Sequence, residues 1–264
     1  MYLKVTAKSA SLMRAVDFHV LLPYHDGYPD APEPYAALFF LPGFSSSAEE
    51  IIFGLPMRQM SAKYGVAVIV PDGENSFYTD HPERGTCFGA YVGEELPRIA
   101  RRLFPCLSSR REDNYIGGIS MGGYGAAALG LHYADSFSKI ALFSPVPDPE
   151  TLLLGGNPDE PGAVPPELFG SLLGAPEDYR KSTRLNPAAA VEKAVEEGRP
   201  LPRFWMCCGE EDRLVGENCE RFSAFLRERG VEHDFLRGTG EHDLPYWDSR
   251  LEDGFRFLRG EPRF

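Results

Sequence analysis

The chain has 264 residues, of which 27 are Lys or Arg and 39 are Asp or Glu, so its formal net charge is −12 at pH 7. An acidic surface repels nucleic acid and anionic membranes, which leaves a small neutral or cationic molecule as the expected partner. An α/β chain of this length often forms one domain, and a single domain over residues 1–264 is expected. The five cysteines are odd in number and form no C-x-x-C pair, so neither a disulfide framework nor a zinc site is predicted, and no cofactor is expected.

The N-terminal segment has the pattern of paired strands. Residues 2–8 and 12–22 each alternate apolar and polar side chains, as half-buried antiparallel strands do. The segment lacks the apolar core of a signal peptide, and no apolar run in the chain approaches membrane-spanning length. The sequence therefore predicts a leading hairpin in a cytoplasmic protein that does not bind membranes.

Two continuous apolar runs follow, and each ends at a loop. Residues 36–41 and 65–73 have the composition of central strands that are covered on both faces. The first run leads through Gly43 into a helix near 48–63, and the second leads into a loop at 74–80. Ligands of open α/β sheets lie beyond the carboxyl ends of such strands, so the loop at 74–80 is a candidate binding segment.

A helix at about 87–104 precedes the most distinctive motif of the chain. Ser120 lies between Gly118 and Gly122 at the spacing G-x-S-x-G, with an apolar strand before it and a helix of small residues after it. In a nucleophile elbow, a serine occupies the strained turn between strand and helix, and the glycines leave room for neighbouring backbones. A Gly-rich turn with an incidental serine is the alternative. The flanking strand and helix favour the elbow.

A further strand at 138–145 gives three strand–helix alternations in succession, which imply a mostly parallel sheet with helices on both faces. The composition then changes over residues 145–200, where prolines and short apolar clusters such as Leu172 and Leu173 replace the strand pattern. We interpret this segment as a cap insertion, because such stretches inside a compact domain are often lids over active sites. A disordered surface insertion is the alternative, although the apolar clusters favour packing.

The last third of the chain supplies an acid and a histidine after successive strands. A buried strand at 204–208 is followed by three consecutive acids at 210–212. A helix at about 214–229 leads to a strand at 231–236, and a Gly-rich loop with His242 comes next. One of the three acids is expected to orient the histidine, because both groups follow strand ends.

Ser120, the acid near 212 and His242 occur in the chain order of α/β-hydrolases. All three follow the carboxyl ends of predicted parallel strands, so we expect them at the same edge of the sheet. His233 is the rival of His242. It precedes the last strand and is expected at the opposite edge.

The sequence resembles the esterase D branch of the α/β-hydrolases, which includes tributyrin esterases, feruloyl and acetyl-xylan type esterases, and S-formylglutathione hydrolases. The resemblance runs along nearly the whole chain. Its motifs are LPGFSSS at 41–47, PDGENSFYTD at 71–80, YVGEELP at 91–97, GGISMGGYGA at 117–126, CGEEDRL at 208–214 and GEHDLPYWD at 240–248. The resemblance implies an α/β-hydrolase fold with a small cap, and it places the acid on Asp212 rather than Glu211 and the base on His242.

An oxyanion hole is expected beside the elbow. The backbone N–H of Met121, at the start of the elbow helix, is one predicted donor. The second must come from the loop after the 36–41 strand, and because Pro42 has no N–H, Gly43 or Phe44 must supply it. The resemblance points to Phe44. Many relatives have a histidine where this chain has Pro42, so the loop departs from the family pattern there.

Side chains near these loops are candidates for the substrate pocket. They are Gly43, Asn75, Phe77, Tyr78, Tyr246 and Trp247. Such sites are lined mainly by apolar and aromatic groups, but the aromatic residues among these could equally belong to the core.

These residues predict a serine carboxylesterase, and the modest cap and acidic surface favour short acyl esters, from acetyl to butyryl. The resemblance adds feruloyl and acetylated-sugar esters as further candidates. Ser120 would attack the ester carbonyl, His242 would take the serine proton, and Asp212 would orient the imidazole. An S-formylglutathione hydrolase is the alternative among enzymes, and a non-catalytic binding protein is the alternative outside them. The resemblance also implies a homo-oligomer.

Overall fold

The computed structural model describes residues 1–24, 31–155 and 166–261. Its strands are β1 (Tyr2–Ser9), β2 (Arg14–Leu21), β3 (Ala36–Leu41), β4 (Val66–Pro71), β5 (Asp80–His81), β6 (Thr86–Cys87), β7 (Asn114–Ile119), β8 (Lys139–Phe143), β9 (Arg203–Gly209) and β10 (His233–Gly238). An eight-stranded sheet has the order β1-β2-β4-β3-β7-β8-β9-β10, and β5 and β6 form a separate ribbon. The strand β2 pairs antiparallel with β1 and β4, and the strands from β4 across to β10 are parallel.

Helices cover both faces of this sheet. They are α1 (Ala48–Gly54), α2 (Met57–Tyr64), α3 (Phe88–Ala90), α4 (Leu96–Leu103), α5 (Met121–His132), α6 (Pro149–Gly155), α7 (Pro166–Leu173), α8 (Pro176–Lys181), α9 (Pro187–Glu196), α10 (Gly216–Glu228) and α11 (Leu244–Arg259). Helices α1, α2 and α11 pack in the core cluster on one face, and α4, α5, α9 and α10 pack in the cluster on the other. The mostly parallel sheet and its two helical layers confirm the predicted fold class.

The central strands are buried on both sides, as their continuous apolar sequences predicted. Along β3, Phe39 and Leu41 belong to one core cluster, whereas Leu38 and Phe40 belong to the other. This alternation follows from the two-residue period of a strand. Burying each large apolar side chain contributes about 1.5–3 kcal/mol, so the two clusters hold the ends of these strands in fixed positions.

Two predicted helices differ in detail from the sequence interpretation. The helix expected at 48–63 is divided into α1 and α2, because Leu55 is extended before Pro56, and a proline disfavours helical geometry in the residue before it. The helix expected at 87–104 contains a π-helical turn at Tyr91–Glu95. Pro97 follows this turn and has no N–H to continue the regular ladder.

The helix α11 was not predicted from the sequence. Asp243 caps its first turn by accepting the N–H of Tyr246 at 3.0 Å, and Gly260 ends it with φ 70°. Both are standard helix signals, so this helix could have been found. Between β8 and β9, helices α6 to α9 occupy part of the predicted cap, of which residues 156–165 lie outside the described residues.

Candidate active site

Ser120 occupies the turn between β7 and α5. Its backbone has φ 54° and ψ −117°, which is uncommon for a residue with a side chain. Its N–H donates to the carbonyl of Phe143 at 3.0 Å, and its own carbonyl accepts the N–H of Tyr124 at 3.1 Å. The turn is therefore held from the neighbouring strand and from the helix, and Ser120 remains 9 % exposed.

The two glycines of the motif are required by close backbone contacts. A Cβ atom on Gly118 would lie 2.4 Å from the carbonyl oxygen of Gly122. One on Gly122 would lie 2.0 Å from the carbonyl oxygen of Leu41. Neither position has room for a side chain, which is the physical reason for glycine on both sides of Ser120.

Asp212 and His242 form a direct hydrogen-bonded pair. The Nδ1–H of His242 donates to Oδ2 of Asp212 at 2.8 Å. The other carboxylate oxygen, Oδ1, accepts the backbone N–H groups of Leu214 and Val215 at 3.1 and 3.0 Å. The Asp212 side chain is fully buried, whereas that of His242 is 19 % exposed. The carboxylate is thus fixed, and the imidazole is reachable from solvent.

The surroundings of Asp212 favour its ionised form. Burial raises the pKa of the carboxyl group, but the hydrogen bond and charge of His242 and the N–H of Val215 lower it, and the net effect is a lowered pKa. The thiol of Cys208 also approaches Oδ2, at 3.6 Å. An ionised, acceptor-only carboxylate keeps the proton on Nδ1 of His242, so that Nε2 can act as a base.

The strand ends bring these residues to one edge of the sheet. In the parallel register, Ile119 pairs with Phe143, and Phe143 pairs with Cys207. Ser120 therefore follows β7 at the level where β9 ends, and only β8 lies between these two strands. By contrast, His233 lies at the start of β10 beside Phe204, so it is at the opposite edge, as predicted.

The loop after β3 lies against the elbow. A Cβ atom on Gly43 would be only 3.5 Å from Cβ of Ser120. The N–H of Ser45 donates to Oδ1 of Asn75 at 2.6 Å, and the hydroxyl of Tyr78 donates to the carbonyl of Pro42 at 2.8 Å. The 74–80 loop thus holds the loop that contains Gly43 and Phe44.

The remaining pocket candidates divide between core and site. Phe77, Tyr78 and Tyr246 are 2, 3 and 2 % exposed and belong to core clusters. The sequence left pocket and core open for these aromatic residues, and the structure places them in the core. Trp247 is half-buried, and its ring meets the His242 ring edge-on at 5.2 Å. Asn75 is exposed and accepts the N–H of Ser45. No motif predicted the contact between the Cys208 thiol and Asp212.

Neither a metal centre nor a membrane segment is evident in the described ranges. No group of three or more His, Cys, Asp or Glu side chains among these residues could hold a metal ion. Within the part of the chain that the structure describes, no helix has the length and apolarity needed to cross a membrane.

The strand order, the strained serine turn and the acid–histidine pair at one sheet edge define an α/β-hydrolase. The family model named Esterase matches residues 9–258, and the chain belongs to this family. It is therefore an esterase, as predicted.

Known relatives agree with this assignment. The chain is 33 % identical over 238 residues to an acetyl esterase of Caldicellulosiruptor saccharolyticus, covering 86 % of this chain and 84 % of the relative. Its fold matches that of a fluorophosphonate-binding serine hydrolase, FphF of Staphylococcus aureus, with a TM-score of 0.83, 24 % identity and 98 % of each chain covered. An S-formylglutathione hydrolase (FrmB) of the same organism matches with a TM-score of 0.82, 25 % identity and 98 % of each chain covered.

Proposed function

We propose that the protein is a serine carboxylesterase that hydrolyses short-chain acyl esters through an acyl-enzyme on Ser120. The observation that carries this proposal is the 2.8 Å hydrogen bond between buried Asp212 and His242, on the same sheet edge as a serine in the elbow conformation. This arrangement has the parts that activate a serine hydroxyl: a base, and a carboxylate that orients the base.

In the proposed mechanism, Nε2 of His242 takes the proton of the Ser120 hydroxyl as Oγ attacks the ester carbonyl. The imidazolium that forms is stabilised by the ionised Asp212, and it then protonates the leaving alcohol. Water attacks the acyl-enzyme with His242 again as base, which releases the acid and restores the serine. The lowered pKa of Asp212 supports this role, because a protonated acid would not stabilise the imidazolium.

Backbone N–H groups of Met121 and Phe44 are proposed to stabilise the tetrahedral oxyanion. Met121 is the first residue of α5, and helices leave the N–H groups of their first turn without intrahelical partners. The contact between Gly43 and Ser120 brings the second loop to the same place. Loss of one such donor costs roughly 100-fold to 1000-fold in turnover.

A short acyl group is proposed because the acetyl esterase relative matches most of this chain, and because the acidic composition gives no sign of binding at a lipid interface. The Tyr124 hydroxyl donates to the carbonyl of Leu185 at 2.7 Å, which ties the proposed cap over residues 145–200 to the elbow helix. Feruloyl and acetylated-sugar esters are the further candidate substrates.

The test is hydrolysis of p-nitrophenyl acetate combined with labelling by a fluorophosphonate. We expect turnover and one adduct, both abolished by Ser120→Ala and both retained by the matched serine variant Ser171→Ala on α7. A series of esters from acetyl to octanoyl, with a feruloyl ester, should show falling kcat/KM beyond butyryl. No turnover with any ester, or an adduct that survives Ser120→Ala, would contradict the proposal and favour a non-catalytic binding protein.

S-formylglutathione hydrolysis is the second candidate, because the FrmB structure covers 98 % of this chain. Comparing kcat/KM for S-formylglutathione and p-nitrophenyl acetate distinguishes the two functions. A large preference for the thioester would favour this candidate. A cytoplasmic location and a homo-oligomer stay predictions from the sequence.

A further inference from the structure

Two neighbouring acids follow β9 and make different contacts. Asp212 binds the imidazole of His242, whereas Glu211 contacts the backbone of the loop that carries this histidine. We infer that Glu211 is a positioning residue, which holds the His242 loop across the end of β9 so that the imidazole stays aligned with Asp212. This inference rests on the proposed esterase function and concerns the same site.

Glu211 holds Gly240 at two points. Its carboxylate oxygen Oε2 accepts the N–H of Gly240 at 2.5 Å, and its own N–H donates to the carbonyl of Gly240 at 3.1 Å. Gly240 is two residues before His242, so both contacts act on the segment that sets the position of the ring. A hydrogen bond from an N–H to a carboxylate is stronger than one between neutral groups.

The loop also contacts the end of β9 directly through its backbone. A Cβ atom on Gly209, the last residue of β9, would lie 2.1 Å from the carbonyl oxygen of Gly240, so the loop is seated directly on the end of the strand. Gly240 has φ 143°, which is accessible only to glycine. Glycines provide no side-chain contacts and lose much conformational freedom on ordering, so a loop of this kind needs a partner from outside itself.

The alignment of His242 with Asp212 depends on the fold, because the two residues are 30 positions apart in the chain. A displacement of about 1 Å in an active site can cost roughly 100-fold in rate. Asp212 cannot provide this support itself, because its two oxygens are engaged by His242 and by the N–H groups of Leu214 and Val215. Glu211 is exposed, so its substitution tests positioning without opening a cavity.

The experiment distinguishes the effect of the length of the Glu211 side chain from that of its charge. Glu211→Gln keeps the length of the side chain and an acceptor oxygen but loses the charge, whereas Glu211→Asp keeps the charge but is too short to reach Gly240. We expect Glu211→Ala and Glu211→Asp to lower kcat by about 10-fold to 100-fold with KM little changed, and Glu211→Gln to stay within about threefold of the unmodified protein. Glu210→Ala, an exposed acid one residue away, is the matched control and should leave kcat unchanged.

A second readout does not depend on ester hydrolysis. The Nδ1 proton of His242, which is hydrogen-bonded to Asp212, is expected to give a low-field NMR signal. This signal should broaden or vanish in Glu211→Ala and Glu211→Asp and persist in Glu211→Gln and Glu210→Ala. If Glu211→Ala and Glu211→Asp match Glu210→Ala in both kcat and this signal, the inference is overturned. Absence of esterase activity in the unmodified protein would instead contradict the proposed function, and the NMR comparison would still decide the role of Glu211.

Discussion

Gly122 in the elbow helix lies so close to Leu41 at the end of β3 that a methyl group there would be 2.0 Å from the Leu41 carbonyl oxygen. Gly122→Ala should therefore displace the Leu41 backbone and the loop that follows it, which contains Gly43 and Phe44. We expect a loss of about 1–3 kcal/mol in the free energy of unfolding from overpacking, together with a fall in kcat/KM. Denaturant unfolding and p-nitrophenyl acetate kinetics measure both effects.

The matched control for this substitution is Gly170→Ala in α7, where a Cβ atom would meet nothing within 4 Å. Alanine is favoured over glycine in helices by about 0.5–1 kcal/mol, so this variant should be neutral or slightly stabilised and fully active. An active and stable Gly122→Ala protein would show that the elbow does not need this contact.

Asp212→Asn is expected to leave the protein folded and to lower kcat by roughly 1000-fold to 10,000-fold, by comparison with other triads. The lowered pKa of Asp212 means that an ionised acceptor faces Nδ1 of His242 at neutral pH. An amide can turn its NH₂ group to Nδ1 and so favour the wrong tautomer. Glu241→Gln, in the same loop and exposed, serves as the control, and comparable rates for the two variants would argue against an orienting role for Asp212.

Two buried tyrosines should respond differently to loss of the hydroxyl group. Tyr124→Phe removes the donor to the Leu185 carbonyl at 2.7 Å and should cost about 1–2 kcal/mol in the free energy of unfolding. The Tyr91 hydroxyl is buried with no hydrogen-bond partner among the described residues, so Tyr91→Phe should be neutral or stabilising. Equal losses in both variants, measured by chemical denaturation, would contradict this distinction.

Glu252 on α11 should make stability depend on pH in the acidic range. Hydrogen bonds from Lys63 and Tyr64 lower the pKa of Glu252 to about 2. The ordinary value for glutamate is about 4.3, so the stabilising contribution is present above that value and disappears as the pH falls towards the folded value. The difference in Tm between the unmodified protein and Glu252→Gln should be present at neutral pH and shrink in acid. The corresponding difference for the control, Glu228→Gln, should not shrink in this way.

The effect of salt on this difference in Tm provides a second check on the prediction. Lys63 and Glu252 are 39 and 40 % exposed, so salt screens their attraction. The difference in Tm should therefore also decrease at high ionic strength. A difference that is unchanged by both pH and salt would show that Glu252 acts through packing.

Continuous apolar sequences made β3 and β4 predictable, because both strands are buried along their whole length. Pro56 marks the break between α1 and α2, which the prediction of one helix near 48–63 missed. The helix α11 was missed although Asp243 and Gly260 mark its ends. Proline and capping residues are weak predictors of helix ends, because the packing of the whole chain can override local preferences.

The candidate site could be located from the sequence only in part. The order of Ser120, the acids and His242 was sufficient to place the site at one sheet edge, but spacing could not separate Glu211 from Asp212. That choice depends on which carboxylate the turn after β9 directs inward, and Asp212 is buried whereas Glu211 is exposed. Likewise, Phe77 and Tyr246 could not be assigned to core or pocket before their neighbours in the fold were known.

The backbone of Ser120 has φ 54° and ψ −117°, a conformation that lowers the stability of the fold at the residue proposed as the nucleophile. Strain in such conformations costs about 1–3 kcal/mol, whereas the extra freedom of glycine in the unfolded chain costs only about 0.4–1 kcal/mol. Ser120→Gly should therefore unfold at a higher temperature than Ser120→Ala, and the proposed mechanism predicts that both are inactive. Glycine at this turn would make the fold more stable, so the serine proposed as the nucleophile is present at a cost in stability.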